Sequence, residues 1–211
     1  LGALLPADAA VKPSGGRLAQ AQIILRRDKG QTIFAGEAKL DGADFEIAGV
    51  AVKEARGNVV FSDKQAFLFP IAAKVYGQNI EVRGKVAIDA AEPVLGLTVS
   101  ASGFDPQALG ADIPLRGPLS FTASVRGTPT RPVIGLTADV FGGSVSGSAT
   151  LLPDKKEYII VLNGRNLDLA TLPDLGFSLA GRGDIDLRLE GSGSLAAAKI
   201  AGTVQAQAAW Q

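Results

Sequence analysis

Three kinds of side chain are left to do chemistry in this sequence: carboxylates, lysines and hydroxyls. Histidine and cysteine are absent, so a Ser-His-Asp or Cys-His nucleophile, a His-ligated catalytic zinc and a Cys-ligated cluster cannot be built. Two carboxylates about 5 to 10 Å apart would serve for glycoside hydrolysis. No such pair is visible, because nearly every acidic residue sits alone in a turn or on the polar side of an alternating run, as solvated surface charge does. Asp105 and Asp168 are the most suggestive carboxylates, since they hold equivalent places in Gly103-Phe104-Asp105-Pro106-Gln107-Ala108-Leu109 and Asn166-Leu167-Asp168-Leu169-Ala170-Thr171-Leu172. Asp105 before Pro106 makes a good N-cap and first-turn pair. Each segment is therefore expected to be a single helical turn that caps an edge of a sheet, with Leu109 pointing inward and the aspartate serving the turn.

Smaller motifs carry no chemistry of their own. Arg182-Gly183-Asp184 is an RGD triplet at the foot of a strand. Gly77 to Gly84-Lys85 has the wrong spacing for a phosphate loop, and no Ser or Thr follows the lysine. Gly142-Gly143 reads as a tight turn or a close backbone approach. Lysine plus arginine equals aspartate plus glutamate at 21 each, with one Trp, two Tyr and nine Phe. The chain thus offers neither the basic field nor the stacking platform of a nucleic-acid binder, and no cofactor or metal is expected.

The elements that must position these residues are strands. Ile80, Val82, Gly84, Val86 and Ile88 alternate with Glu81, Arg83, Lys85 and Ala87, and Leu95, Leu97, Val99 and Ala101 alternate with Gly96, Thr98, Ser100 and Ser102. This is period two, with one apolar and one polar face. The same rhythm runs through 33–40, 45–49, 67–75, 119–125, 145–151, 185–189 and 200–208, giving about a dozen strands and no convincing amphipathic helix. Asp28-Lys29-Gly30, Asp41-Gly42, 90–93, 128–132 and 153–156 fall between alternating runs and read as chain reversals. An antiparallel meander is predicted.

A long-period echo overlies the meander. Val75-Tyr76-Gly77 returns as Val140-Phe141-Gly142, the intervals from Gly84 to Gly103 and Leu109 return from Gly147 to Asn166 and Leu172, and the ten-residue spacing of Gly117 and Gly127 returns in Gly181 and Gly191. One unit of roughly 64 residues is used twice, so function is expected along a stacked surface and not in one pocket. The expected organisation is a linker or frayed end over 1–16 and one continuous repetitive domain over 17–211, with repeats at about 75–139 and 140–208. A first residue other than Met and the lack of any apolar run of about 20 residues read as a piece of a longer protein whose anchor lies elsewhere. The absence of cysteine fits an oxidising compartment.

A sheet with one apolar face needs a second layer, and neither helices nor aromatics are present in quantity to supply it. The sheet must fold over on itself, either as a sandwich whose faces bury each other or as a curled trough. Strands of about eight residues span roughly 26 Å, and a dozen of them at about 4.8 Å spacing make a channel roughly 60 Å long. Lipid acyl chains are its natural filling.

The stretch from Val52-Lys53-Glu54-Ala55-Arg56-Gly57 to Phe61, followed by Phe69-Pro70-Ile71 through Tyr76-Gly77-Gln78-Asn79-Ile80-Glu81-Val82-Arg83-Gly84-Lys85-Val86, resembles the repeated phrase of the TamB family, which is similar to the wider AsmA-like group of envelope proteins. The phrase is a strand opened by Arg-Gly, a strand pair, and the short Gly-Phe-Asp-Pro-x-x-Leu turn; the resemblance covers about residues 17 to 208. It implies a protein anchored in the inner membrane of a two-membraned bacterium. Its periplasmic β-groove would pass phospholipid towards the outer membrane, with a further role in outer-membrane assembly beside a BamA-like barrel partner.

The fold expected is therefore all-β: an elongated, curled, taco-like and mostly antiparallel sheet of repeated strands with an apolar groove. Candidate lining residues are Ile80, Val82, Val86, Ile88, Leu97, Val99, Phe121, Val125, Leu136, Val145, Ile185, Leu187, Leu189 and Val204, whose only chemistry is the transfer of apolar area out of water, about 25 cal/mol per Å². Two other readings stay open: a structural or adhesive β-repeat stalk with a self-filled core, and an enzyme acting on a polymer along the polar face.

Overall fold

The computed structural model describes residues 11–28, 31–47, 50–88, 92–109, 118–152, 157–171, 181–192 and 199–207. Thirteen strands lie among them. The first seven are β1 (Val11–Gly15), β2 (Leu18–Asp28), β3 (Gln31–Ile47), β4 (Val50–Ser62), β5 (Gln65–Val75), β6 (Gln78–Ala87) and β7 (Val94–Phe104). The rest are β8 (Leu119–Thr128), β9 (Arg131–Val140), β10 (Gly143–Leu152), β11 (Glu157–Asp168), β12 (Arg182–Ser192) and β13 (Lys199–Gln207). β1 and β2 both pair with β3, and from β3 onward each strand neighbours the next in sequence. The fold is the open, antiparallel all-β sheet that the alternation predicts. The chain divides into two compact units, residues 1–100 and 101–211, and β7 crosses the division.

The echo in the sequence is an echo of backbone geometry. Tyr76 and Gly77 have φ of 50° and 76°, and Phe141 and Gly142 have φ of 54° and 66°. Positive φ at both central residues closes a two-residue hairpin whose twist matches its strands. Gly103 and Asn166 are likewise equivalent, with φ of 69° and 52°; asparagine is among the few residues that tolerate this region. Each is followed by a 3₁₀ turn, at Pro106–Leu109 and at Leu169–Thr171, as expected.

The expected chain reversal at Asp41-Gly42 is not one. β3 runs through it for 17 residues, and Gly42, with φ of 79°, sits in a bulge where the β3–β4 register shifts between Asp41 and Ala43. A glycine in the left-handed region can kink a strand as well as end it. Residues 11–15, within the stretch expected as a linker, form β1, with Val11 opposite Ile47 and Pro13 opposite Phe45. Proline is tolerated there because β1 lies at an edge. The expected turns at 29–30, 90–91 and 153–156 fall outside the described residues.

In the first unit the buried core is small: Ala43, Ala55, Ile71 and Ala73, with Leu40, Phe45, Val52, Val59, Leu68 and Ile80 packed around it. It coincides with the bulges of β3, β4 and β5. In the second unit Phe104, Ala138, Tyr158, Leu167 and Leu169 are buried, and the Phe104 ring meets Phe121 edge-on at 5.5 Å. No polar or charged side chain is buried among the described residues.

Candidate functional site

Antiparallel pairing puts directly opposed residues on one face, so the register assembles the apolar positions into rows. In the first unit one row runs Ile23, Gly36, Phe61, Ala66, Val86, Leu95 across six strands. The next runs Ala21, Ala38, Val59, Leu68, Gly84, Leu97. A shorter one joins Ile71, Val82 and Val99. In the second unit three rows of six cross β8 to β13. They read Phe121, Ala138, Val145, Gly164, Ile185, Val204, then Ala123, Leu136, Gly147, Leu162, Leu187, Gly202, and then Val125, Ile134, Ala149, Ile160, Leu189, Ile200.

The candidates chosen from alternation thus fall into common rows within each unit: Val82, Val86, Leu97 and Val99 in the first, and Phe121, Val125, Leu136, Val145, Ile185, Leu187, Leu189 and Val204 in the second. Two stand apart. Ile80 pairs with Ala73 and packs against the buried cluster. Ile88 lies just past β6, 39% exposed, with its N–H donating to the Lys64 carbonyl at 2.8 Å. For Leu189 and Val204 only the backbone register is described. The other candidates are half-buried, and none of them is among the buried core residues. No charged residue enters any of these rows. Their members on β3 fall within the alternating run 33–40, whereas on β5 the rows take Ala66 and Leu68, the parity opposite to that of Phe67 and Phe69, because the register shifts between Leu68 and Ile71. A Cβ on Gly36 would come within 2.8 Å of the Phe61 ring, which lies across it.

The opposite face carries most of the polar side chains, together with the exposed Val60, Phe67, Phe69, Val133 and Ile159, and bears shallow recesses. In the second unit Thr122, Thr137, Ser146 and Asn163 form a row and, with Ser124 and Ser148, line a recess of about 500 Å³. In the first unit Gln20, Glu37, Lys39, Asn58, Val60 and Phe69 line one of about 470 Å³. Hydroxyls and amides predominate in the former, which contains no carboxylate. Among the described residues no group of three or more acidic side chains could hold a metal ion.

Several carboxylates have structural partners. Asp41 pairs with Arg17 and lies 3.9 Å from Arg56; the Arg17 hydrogen bond and charge hold its carboxyl below the usual range. Asp44 accepts the Glu54 N–H at 2.8 Å and lies 3.4 Å from the Lys53 ammonium. The backbone hydrogen bond, chiefly, lowers its pKa as well. Glu54 needs that support, since its φ is 54°. Asp105 and Asp168 play the same part in the two repeats: their Oδ1 atoms accept the N–H of Gln107 at 3.0 Å and of Ala170 at 3.2 Å. Each fixes the start of its turn. The inward residues there are Phe104 and Leu167, with Pro106 and Leu169; the Leu109 side chain lies outside the described set. Arg182-Gly183-Asp184 is likewise committed, Gly183 being buried and Asp184 accepting the Asn166 N–H at 2.9 Å.

No protein-family model, no curated protein and no solved structure matches the chain.

Proposed function

We propose that the apolar face of each unit is a groove lining that carries phospholipid acyl chains. In this reading the chain is a periplasmic segment, tied to the inner membrane by a part of the protein outside this sequence, that conducts phospholipid between inner and outer membrane. One observation carries the reading. Charge-free apolar rows cross six strands in each unit, yet their described candidate members are only half-buried. A self-filled stalk would bury such rows against a second layer, as a sandwich does. Half-buried rows leave apolar area whose removal from water, at about 25 cal/mol per Å², favours an apolar guest of no fixed shape. The TamB-like phrase supports phospholipid as that guest and a BamA-like barrel as an outer-membrane partner of the whole protein.

The experiment is lipid extraction and mass spectrometry on the purified chain beside a variant carrying Val99→Asp and Leu187→Asp. The wild type is expected to retain phospholipid and the variant to fold and lose it. A lipid-free wild type with a variant that cannot fold would assign these residues to an ordinary core and put the structural stalk in first place.

A further inference from the structure

We propose that β2 is a self-complementary edge through which two copies of the chain join, in antiparallel register about Ile24. Among the described residues β2 pairs with β3 alone, so its outer edge carries a row of backbone donors and acceptors with no strand beside them. Ile23, Ile24 and Leu25 on that edge are 52%, 63% and 71% exposed. Proteins blunt such edges with proline, bulges or charge. β2 has none of these where it matters: its register with β3 is unbroken from Gln20 to Asp28, and its charges are confined to Arg26, Arg27 and Asp28.

The chemistry of the edge selects the occupant. A lipid cannot satisfy a row of N–H and C=O groups, whereas a strand can. Ile23 and Leu25 lie in register with Gly36 and Phe34 on the apolar face, and Ile24 with Ala35 on the other. The incoming strand must therefore be apolar on both faces at one place. β13 does not fit, because its large apolar residues, Ile200 and Val204, share one parity. β2 fits itself. Centred on Ile24, antiparallel pairing sets Ile24 against Ile24, Leu25 against Ile23, Arg26 against Gln22, Arg27 against Ala21 and Asp28 against Gln20. All three apolar residues meet apolar partners, and no like charges are opposed, which would be unfavourable across a ladder. The two-fold axis stands perpendicular to the sheet, so the pairing is closed and isologous.

The absence of cysteine allows a register-specific test. Sedimentation equilibrium of the wild type is expected to give twice the chain mass at high concentration, and Ile24→Lys, which opposes two ammonium groups at the axis, is expected to give the single mass. Far-UV circular dichroism checks folding, which this exposed site should not disturb. Under mild oxidation Ile24→Cys is expected to form an intermolecular disulfide, because directly opposed Cα atoms lie within disulfide range, and Gln20→Cys is not. A wild type that stays monomeric at every concentration overturns the proposal. So does a dimer that Ile24→Lys leaves intact, or one that Gln20→Cys locks and Ile24→Cys does not. The readout is mass and register, independent of whether the apolar faces hold lipid.

Discussion

The Arg182 Nη1 lies 2.6 Å from the carbonyl oxygen of Gly142, which it reaches across 40 residues of sequence. The same nitrogen lies 2.8 Å from the Asn166 carbonyl. Gly142 closes the β9–β10 hairpin and Asn166 interrupts the β11–β12 ladder, where the register shifts between Gly164 and Leu167. Both residues have positive φ, and one guanidinium ties the two irregular points together. Replacing Arg182 by Met keeps much of the stem and removes the donors. Because the site is exposed, the expected loss is about 1–2 kcal/mol, near the lower range for hydrogen bonds from charged groups. Urea unfolding measures it, and Arg182→Lys should recover only part, since an ammonium lacks the planar fork.

Glycines in the rows and glycines in the turns should respond differently to alanine. A Cβ at Gly147 would lie 2.4 Å from the Val161 carbonyl oxygen and 2.6 Å from Leu162 Cδ2. Gly147→Ala is expected to destabilise by about 2–3 kcal/mol through overpacking. At Gly77 nothing lies within 4 Å, so Gly77→Ala should cost about 1 kcal/mol, the strain of a left-handed residue alone. Thermal or denaturant unfolding of the pair gives the order, and equal losses would mean that the close approach at Gly147 relaxes freely.

Asp41 and Asp44 make stability depend on acid. Both carboxyls are held below the ordinary 3.8, so the folded state binds protons less readily than the unfolded chain. Their contribution is fully present above about pH 4 and fades as pH falls through the depressed folded values. Asp44→Asn keeps an acceptor for the Glu54 N–H and removes the titration. Urea midpoints measured at neutral pH and near pH 3 should converge for Asp44→Asn relative to wild type as the pH falls.

Asp105→Ala and Asp168→Ala are each expected to destabilise by about 1 kcal/mol, the usual loss when a capping side chain is removed. Asn at either position should restore most of it, because its Oδ1 can accept the same N–H. Unfolding of the Ala and Asn variants separates this turn-fixing role from one that needs a negative charge.

What was legible in the sequence was whatever repeats at period two. The alternations in β6, β8, β10 and β12 placed Val86, Phe121, Val145 and Ile185 on faces that the register then joined into rows. Repetition also marked Tyr76-Gly77 and Phe141-Gly142 as equivalent and revealed the two single helical turns, because backbone geometry with positive φ narrows residue choice; that the first two are hairpins came from the structure. β2 was implied only by the chain reversal at Asp28-Lys29-Gly30 and not named as a run, because Ile23-Ile24-Leu25 is apolar on both faces and so lacks the period of a half-buried strand. Asp41-Gly42 was misread because the same dipeptide serves a hairpin and a bulge, and only the pairing of β3 with β1 and β4 decides between them. Pro70 within β5 is the like case: the β5–β6 register shifts between Leu68 and Ile71 around it.

Among the described residues four strands follow each of the two equivalent hairpins, β6 to β9 after Tyr76-Gly77 and β10 to β13 after Phe141-Gly142. An even number returns the chain to its starting direction with the same side chains uppermost. Such a block can be copied or excised at its hairpins without inverting any neighbour, whereas loss of a single strand would reverse everything downstream. Inheritance by tandem duplication is therefore open to this architecture at little mechanical risk, and its length is a quantity that selection can adjust in steps of four.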